Sequence, residues 1–240
     1  FLAATRQGPL DTIRYQAMQR QVDLLWNPEQ VVGSVTALYK DLEPEEVLVD
    51  HVSFGSTLAM YAIGEDFMTL VPGHPSQLPV GKERYGIPAE WPACMRPDNE
   101  QLNEVERLAD TVTAAFTDRW NSALAMVAPE RPPVEDAFRV HGRRVLYNSV
   151  SRYHSALRSA ELSLDHRFVG PLVREETLPE NMDAWRDKKD NRPQIYVALG
   201  TFLSHRIDVL ARVAEALRKV GARAAMAIGS MPKHDLGTVP

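Results

Sequence analysis

One cysteine stands in 240 residues. Cys94 alone can form neither an intrachain disulfide nor a cysteine-based metal cluster, and it reads as an inert thiol, buried or in a loop. No apolar run approaches the roughly 18 residues that a membrane-spanning helix needs. Basic runs are missing too: 27 Lys and Arg against 32 Asp and Glu leave a formal net charge of −5, which argues against nucleic acid as the main partner. The scattered His51, His74, His141, His154 and His166 make no helical pair with nearby carboxylates, so no metal site is expected. The fingerprints G-x-G-x-x-G, G-x-x-x-x-G-K-[ST] and G-x-S-x-G are absent, which disfavours a dinucleotide oxidoreductase, a P-loop NTPase and an α/β-hydrolase. Phe1-Leu2-Ala3 carries no initiator Met and no basic, then apolar, leader pattern, and SMPKHDLGTVP stops just after an apolar run. The expectation is an internal portion of a longer cytoplasmic protein.

What is present is ordinary globular composition, 44% hydrophobic and 25% charged, enough for sizeable cores. The stretch from Asn191 to Ser230 organises the rest. Ile195 to Leu199 is an unbroken apolar run, expected as a strand buried on both faces. Gly200 and Thr201 break it. Val209, Leu210, Val213, Ala214 and Leu217 then recur at helical spacing. Arg218, Lys219 and Gly221 fit a helix end, and Ala224 to Ile228 is a second strand. A loop such as Gly200-Thr201, after a parallel strand and before a helix, lies where open α/β sheets place ligands and where free backbone N–H groups suit a phosphate.

The preceding sequence alternates in the same way. Helices are expected over Asp11–Trp26 and Val31–Leu42, a strand over Val47–Val49 ending at Asp50, a close-packed helix over Ser56–Ile63 and a strand over Phe67–Val71. Asn27-Pro28 looks like an N-cap with Pro in the first turn. Asp98 is expected to cap a long helix reaching about Met126, and RVLYN from Arg144 and RFVG from Arg167 to be short strands. Between them, Pro72 to Pro97 is rich in Pro and Gly; a long irregular stretch of this kind is either a functional loop or a surface connection. Thr177 to Arg192 is polar and charged and reads as a linker. The fold class is therefore α/β with parallel sheets.

In order along the chain, EVLVDHVSFGSTLAMYA, PGHPSQLP with YGIPAEWP, RVLYNS, HRFVGPLVREE and RPQIYVALGTFLS resemble the GT-B glycosyltransferases of the UDP-glucuronosyltransferase-like superfamily, and among them the actinobacterial natural-product enzymes. The resemblance implies two Rossmann-like domains facing a cleft, both incomplete here. Residues 1–176 would be part of the N-terminal acceptor-binding domain, 177–192 the linker, and 193–240 the opening of the C-terminal nucleotide-sugar-binding domain. The family's histidine loop would precede Phe1 and its diphosphate motif would follow Pro240. The implied partners are a nucleoside diphosphate sugar and a small apolar aglycone, with inverting transfer to a hydroxyl and no cofactor.

Transfer to a hydroxyl needs a base, and a histidine base works best beside a carboxylate. The resemblance gives that carboxylate role to Asp50, expected to be buried at a strand end and facing the cleft; the alternative is a cap on the following helix. His51, by strand alternation, faces the other way. His74 and Trp91, in the Pro-rich segment, are implied acceptor contacts, and that segment is expected to be a mobile pocket wall. Phe54 is a further candidate for the wall, with core packing as its alternative. Gly200, Thr201 and Ser204 are implied donor contacts. Two other functions stay open: a nucleotide-sugar 2-epimerase of the same fold, which the Pro72–Pro97 segment disfavours, and a non-catalytic helper protein.

Overall fold

A computed structural model describes residues 1–173, 191–230, 232 and 234. The chain divides into two compact units, Ala3–Val173 and Arg174–Pro240. The expected linker lies, up to residue 190, outside the described residues.

In the first unit, helices α1 (Leu2–Gln7), α2 (Pro9–Asp23) and α3 (Pro28–Leu42) lead into strand β1 (Leu48–Asp50). Pro9 and Pro28 sit in the first turns of α2 and α3, where a missing N–H costs nothing. Asn27 does precede α3, but in a left-handed conformation with no side-chain cap. Helix α4 (Phe54–Ile63) then carries the chain to β2 (Met68–Val71), and α5 (Asn99–Val127) to β3 (Arg144–Tyr147); α6 (Ala156–Glu161) precedes β4 (His166–Phe168). The four strands make one parallel sheet in the order β1-β2-β3-β4, as helix-linked strands require.

Alternation gives the sheet two unlike faces. Val49, Thr69, Val71, Val145 and Tyr147 are buried, and Leu78, Leu162 and Phe168 pack with three of them. On the other face Leu48, Asp50, Arg144 and Arg167 are exposed, and Met68, Leu70 and Leu146 are half-buried. The larger core lies among the helices. In α5 the residues Val105, Ala109, Val112, Phe116, Trp120 and Ala123 form a buried stripe at helical spacing. Val112, Phe116, Trp120 and Ala123 share a core with Ala17 of α2, Val32 of α3 and Leu58 of α4. Asp98 caps α5 in a capping box: its carboxylate accepts from the Gln101 N–H at 2.8 Å, while the Gln101 side chain accepts from the Asp98 N–H at 3.2 Å.

The second unit holds β5 (Gln194–Ala198) and β6 (Arg223–Ala227), paired in parallel. A short helix α7 (Gly200–Leu203) and helix α8 (Ile207–Lys219) lie between them in sequence. Leu210, Ala214 and Leu217 are the buried row of α8. The helix closes in a Schellman motif: the Gly221 N–H reaches Arg218 O and the Ala222 N–H reaches Leu217 O. Strand β5 corrects one expectation. It is not buried on both faces: Gln194, Tyr196 and Ala198 are exposed. A two-stranded sheet with one long helix among the described residues covers alternate side chains only.

Candidate functional site

The segment after β2 begins with a short 3-10 turn, Pro75–Gln77, that His74 caps. The Ser76 N–H points at His74 Nδ1 at 3.3 Å, and Ser76 Oγ lies 2.8 Å from the same atom. A backbone N–H can only donate, so Nδ1 is the bare nitrogen of the neutral ring and Nε2 carries the hydrogen. His51, just past β1, is fully buried; its Nε2 lies 2.9 Å from the Gln77 carbonyl oxygen. Burial pushes the His51 pKa down to about 4.

Further along, Arg158 of α6 is buried with all its donors directed inward. Nε faces His154 Nδ1 at 3.2 Å, Nη1 pairs with Glu83, and Nη2 donates to the carbonyls of Pro75 at 2.7 Å and Leu78 at 2.8 Å. Burial first and the Arg158 charge second lower the His154 pKa to about 4. Arg139 donates to the carbonyls of Gly81 and Glu83, and Arg84 pairs with Glu106 and Asp110 of α5. Tyr85 stacks on Phe138 with ring centroids 4.0 Å apart. The Pro-rich segment is thus anchored at both its first and its middle part.

Between this segment, α2 and the start of α6 lies a cavity of about 540 Å³. Ile13, Ile87 and Pro88 give it apolar wall; Arg20 gives it cationic wall and His74 polar wall, while Arg158 lines it with its donors engaged elsewhere. A neighbouring cavity of about 640 Å³ shares Ile87, Pro88, Ala89, Glu90, Ser155 and Arg158. Both lie by residues that follow the carboxyl ends of β2 and β3, the end of a parallel sheet where ligands bind. An apolar cavity with a few placed donors is the usual form of a small-molecule site.

Of the residues singled out from the sequence, His74 is at this cavity. Phe54 is not: it is 2% exposed and its ring packs against Phe116, Phe138 and Tyr85, so it is core. Trp91 is half-buried with its indole N–H unpartnered among the described residues and does not line the cavity. Asp50 is exposed, which corrects the expectation of burial. Alternation turns Val49 and His51 inward and Asp50 outward, onto the open face of the sheet. Its Oδ1 accepts the Val52 N–H at 2.9 Å, and the Ser53 N–H reaches its backbone oxygen. The carboxylate therefore shapes the turn before α4.

In the second unit, Gly200 starts α7 at φ +72°, with open space where a Cβ would stand. Thr201 is exposed. Ser204 is 4% exposed and its hydroxyl donates to the Thr201 carbonyl at 2.9 Å, so in this conformation it offers no surface to a ligand. Among the described residues no group of three or more His, Cys, Asp or Glu is placed to hold a metal ion, and no helix is long and apolar enough to cross a membrane. Sequence reasoning missed Arg20, Tyr85 and Arg158. The one available signal was the aromatic-glycine pair Tyr85-Gly86 inside a Pro-rich segment.

No protein-family model and no curated protein sequence matches the chain. Among solved structures it is similar to that of CalG4, the calicheamicin glycosyltransferase, with a TM-score of 0.53 and 14% sequence identity, over 92% of this chain and 51% of that one. The chain thus has an α/β fold shared with a GT-B glycosyltransferase, and it spans about half that enzyme's length.

Proposed function

We propose that this chain is the acceptor-binding part, and the opening of the donor-binding part, of an enzyme that moves a sugar from a nucleoside diphosphate to a hydroxyl of a small molecule with inversion. The observation that carries this reading is the cavity at the carboxyl end of the four-stranded sheet, with its apolar wall and the Nε2–H of His74. The likeness to CalG4 supports it. Ile13, Ile87 and Pro88 would cover a flat apolar acceptor, and His74 would donate to one of its oxygens. Asp50 would act as a positioning carboxylate. Its Oδ1 is held by the Val52 N–H, which leaves the other oxygen to orient and stabilise an imidazolium base. Gly200 and the exposed Thr201 would meet the donor diphosphate, Gly200 through close backbone approach and Thr201 through its hydroxyl.

The test is transfer from UDP-glucose and other nucleotide sugars to a panel of hydroxylated aromatic acceptors, with products followed by mass and by anomeric configuration. Asp50→Asn keeps the Oδ1 acceptor and removes the charge, so it should fold normally and lose roughly 10²–10⁴ in turnover. Transfer by the parent protein that Asp50→Asn leaves unchanged would remove Asp50 from the chemistry. Absence of transfer from every donor by the complete enzyme that contains this chain would overturn the reading.

A further inference from the structure

Arg20 projects from α2 into the wall of the 540 Å³ cavity. Its guanidinium carbon lies 4.9 Å from the centroid of the Tyr85 ring, within cation–π range. The next residue, Gly86, has φ +80°, and a Cβ there would stand 1.7 Å from an Arg20 nitrogen. Tyr85 supplies a ring face and Gly86 supplies room, so the loop is shaped around this one cation.

Among the described residues the cation has no counter-charge. Among the described residues Arg20 makes no hydrogen bond and no ion pair. The other arginines around it are matched: Arg14 with Asp11 and Glu104, Arg84 with Glu106 and Asp110, Arg139 with Asp136, and Arg158 with Glu83. Among the described residues one carboxylate lines the cavity, Glu90, which is exposed and makes no ion pair with Arg20. Burial draws the Arg20 pKa down from its ordinary value, and the Tyr85 side chain opposes this. A half-buried guanidinium without a partner is costly to keep unless something completes it. Its planar fork matches a carboxylate with two parallel hydrogen bonds.

We propose that Arg20 selects acceptors that carry a carboxylate, which its guanidinium holds in the cavity while the apolar body of the acceptor lies along Ile13, Ile87 and Pro88. This rests on the reading of the cavity as the acceptor site. It adds a specificity-determining residue and a substrate class: hydroxylated aromatic acids rather than neutral aglycones.

Calorimetric titration of the chain with 6-hydroxy-2-naphthoate and with 6-hydroxy-2-naphthamide tests it. The two probes share size, ring and hydroxyl and differ in charge. The acid should bind roughly 10–100-fold more tightly, the worth of charge-assisted hydrogen bonds in a shielded site, and added salt should erode the difference. Arg20→Gln should bring the acid down to the affinity of the amide and leave the amide unchanged, whereas Arg20→Lys should keep part of the preference. Ile87→Trp, which fills the cavity, should weaken both probes. If both probes bind the parent protein equally, the carboxylate inference falls and the acceptor cavity stands. If neither binds, or if Ile87→Trp leaves both affinities intact, the cavity reading falls and takes the inference with it. Displacement of the acid by pyrophosphate, dependent on Arg20, would assign the cation to a phosphate and overturn the proposal. The comparison of acid with amide on the parent protein decides the matter even if the Arg20 variants fail to fold.

Discussion

The Nε2–H of His51 donates to the backbone carbonyl of Gln77 at 2.9 Å and so ties the end of β1 to the segment that walls the cavity. A carbonyl only accepts, which fixes the tautomer: Nδ1 is bare, and it is buried with no partner among the described residues. Protonation would place a charge on that atom beside the Phe54 ring, whose centroid is 5.7 Å from the imidazole centroid. Burial is the larger cause of the low His51 pKa, about 4 against an ordinary 6.5.

Stability should therefore fall on acidification. In the unfolded chain His51 takes up a proton below about pH 6.5, while in the folded chain it does so only near 4. Folding then carries a growing penalty as pH drops through that window, on the order of 3 kcal/mol for His51 by pH 4. His154 and His166 are lowered to about 4 as well, each by burial first, and add in the same direction. Urea midpoints measured from pH 7 to pH 4 should decline, and His51→Gln, which keeps a donor for Gln77, should flatten the decline. Midpoints that stay level over this range would contradict the assignment.

Arg158 should be the least replaceable polar residue of the first unit. Arg158→Met leaves the Glu83 carboxylate with only the Val80 N–H, and takes the guanidinium donor away from the carbonyls of Pro75 and Leu78. Stripping one partner from a buried ion pair costs roughly 3–5 kcal/mol. Glu83→Gln added to Arg158→Met should recover part of that loss. Additive losses in the double-mutant cycle would mean that the pair does not act as a unit.

The cap on α5 gives a smaller effect. Asp98→Ala removes the acceptor for the Gln101 N–H and should cost about 1 kcal/mol. Because the box is reciprocal, Gln101→Ala in that background should cost less than it does alone. Chemical denaturation of the four chains measures this, and equal costs in both backgrounds would contradict the reciprocal arrangement.

These effects differ in how far the sequence announces them. The cap at Asp98, the stripe from Val105 to Ala123 and the strands at Leu48, Met68 and Arg144 rest on local signals: a capping residue, a 3.6 period, short apolar runs between breakers. The turn of Asp50 outward is also local, since Val49 and His51 are the apolar-facing neighbours in LVDH. Phe54 was ambiguous because an aromatic after a strand can face a ligand or a core. What decides it is contact with Phe116 and Phe138, far along the chain. The cavity was hidden for the same reason: Arg158 meets Glu83 across 75 positions, and Arg20 meets Tyr85 from another helix. Side-chain pairing at such separations leaves no periodic trace. The double burial expected of Ile195 to Leu199 failed because a continuous apolar run does not say how many layers cover it.

The start of the second unit offers a prediction in which backbone strain and ligand approach can be separated. Gly200 sits at φ +72°, and among the described residues nothing lies within 4 Å of where a Cβ would stand, so a side chain there meets a conformational cost and no clash. Ala should cost about 1 kcal/mol and Val more. Asn adopts this left-handed region far more readily, so Gly200→Asn should melt near the parent protein. If the donor diphosphate approaches this backbone as proposed, Gly200→Asn should still weaken UDP-glucose binding, roughly tenfold or more, because its side chain fills the open space. Thr201→Ala should remove one hydrogen bond, worth roughly 0.5–3 kcal/mol. Ser204→Ala should leave donor affinity alone and cost stability only, since the Ser204 hydroxyl is spent on the Thr201 carbonyl. Thermal melts and UDP-glucose titrations on the same four proteins separate the two contributions. Donor affinity equal to the parent's in a stable Gly200→Asn would place the diphosphate on another loop.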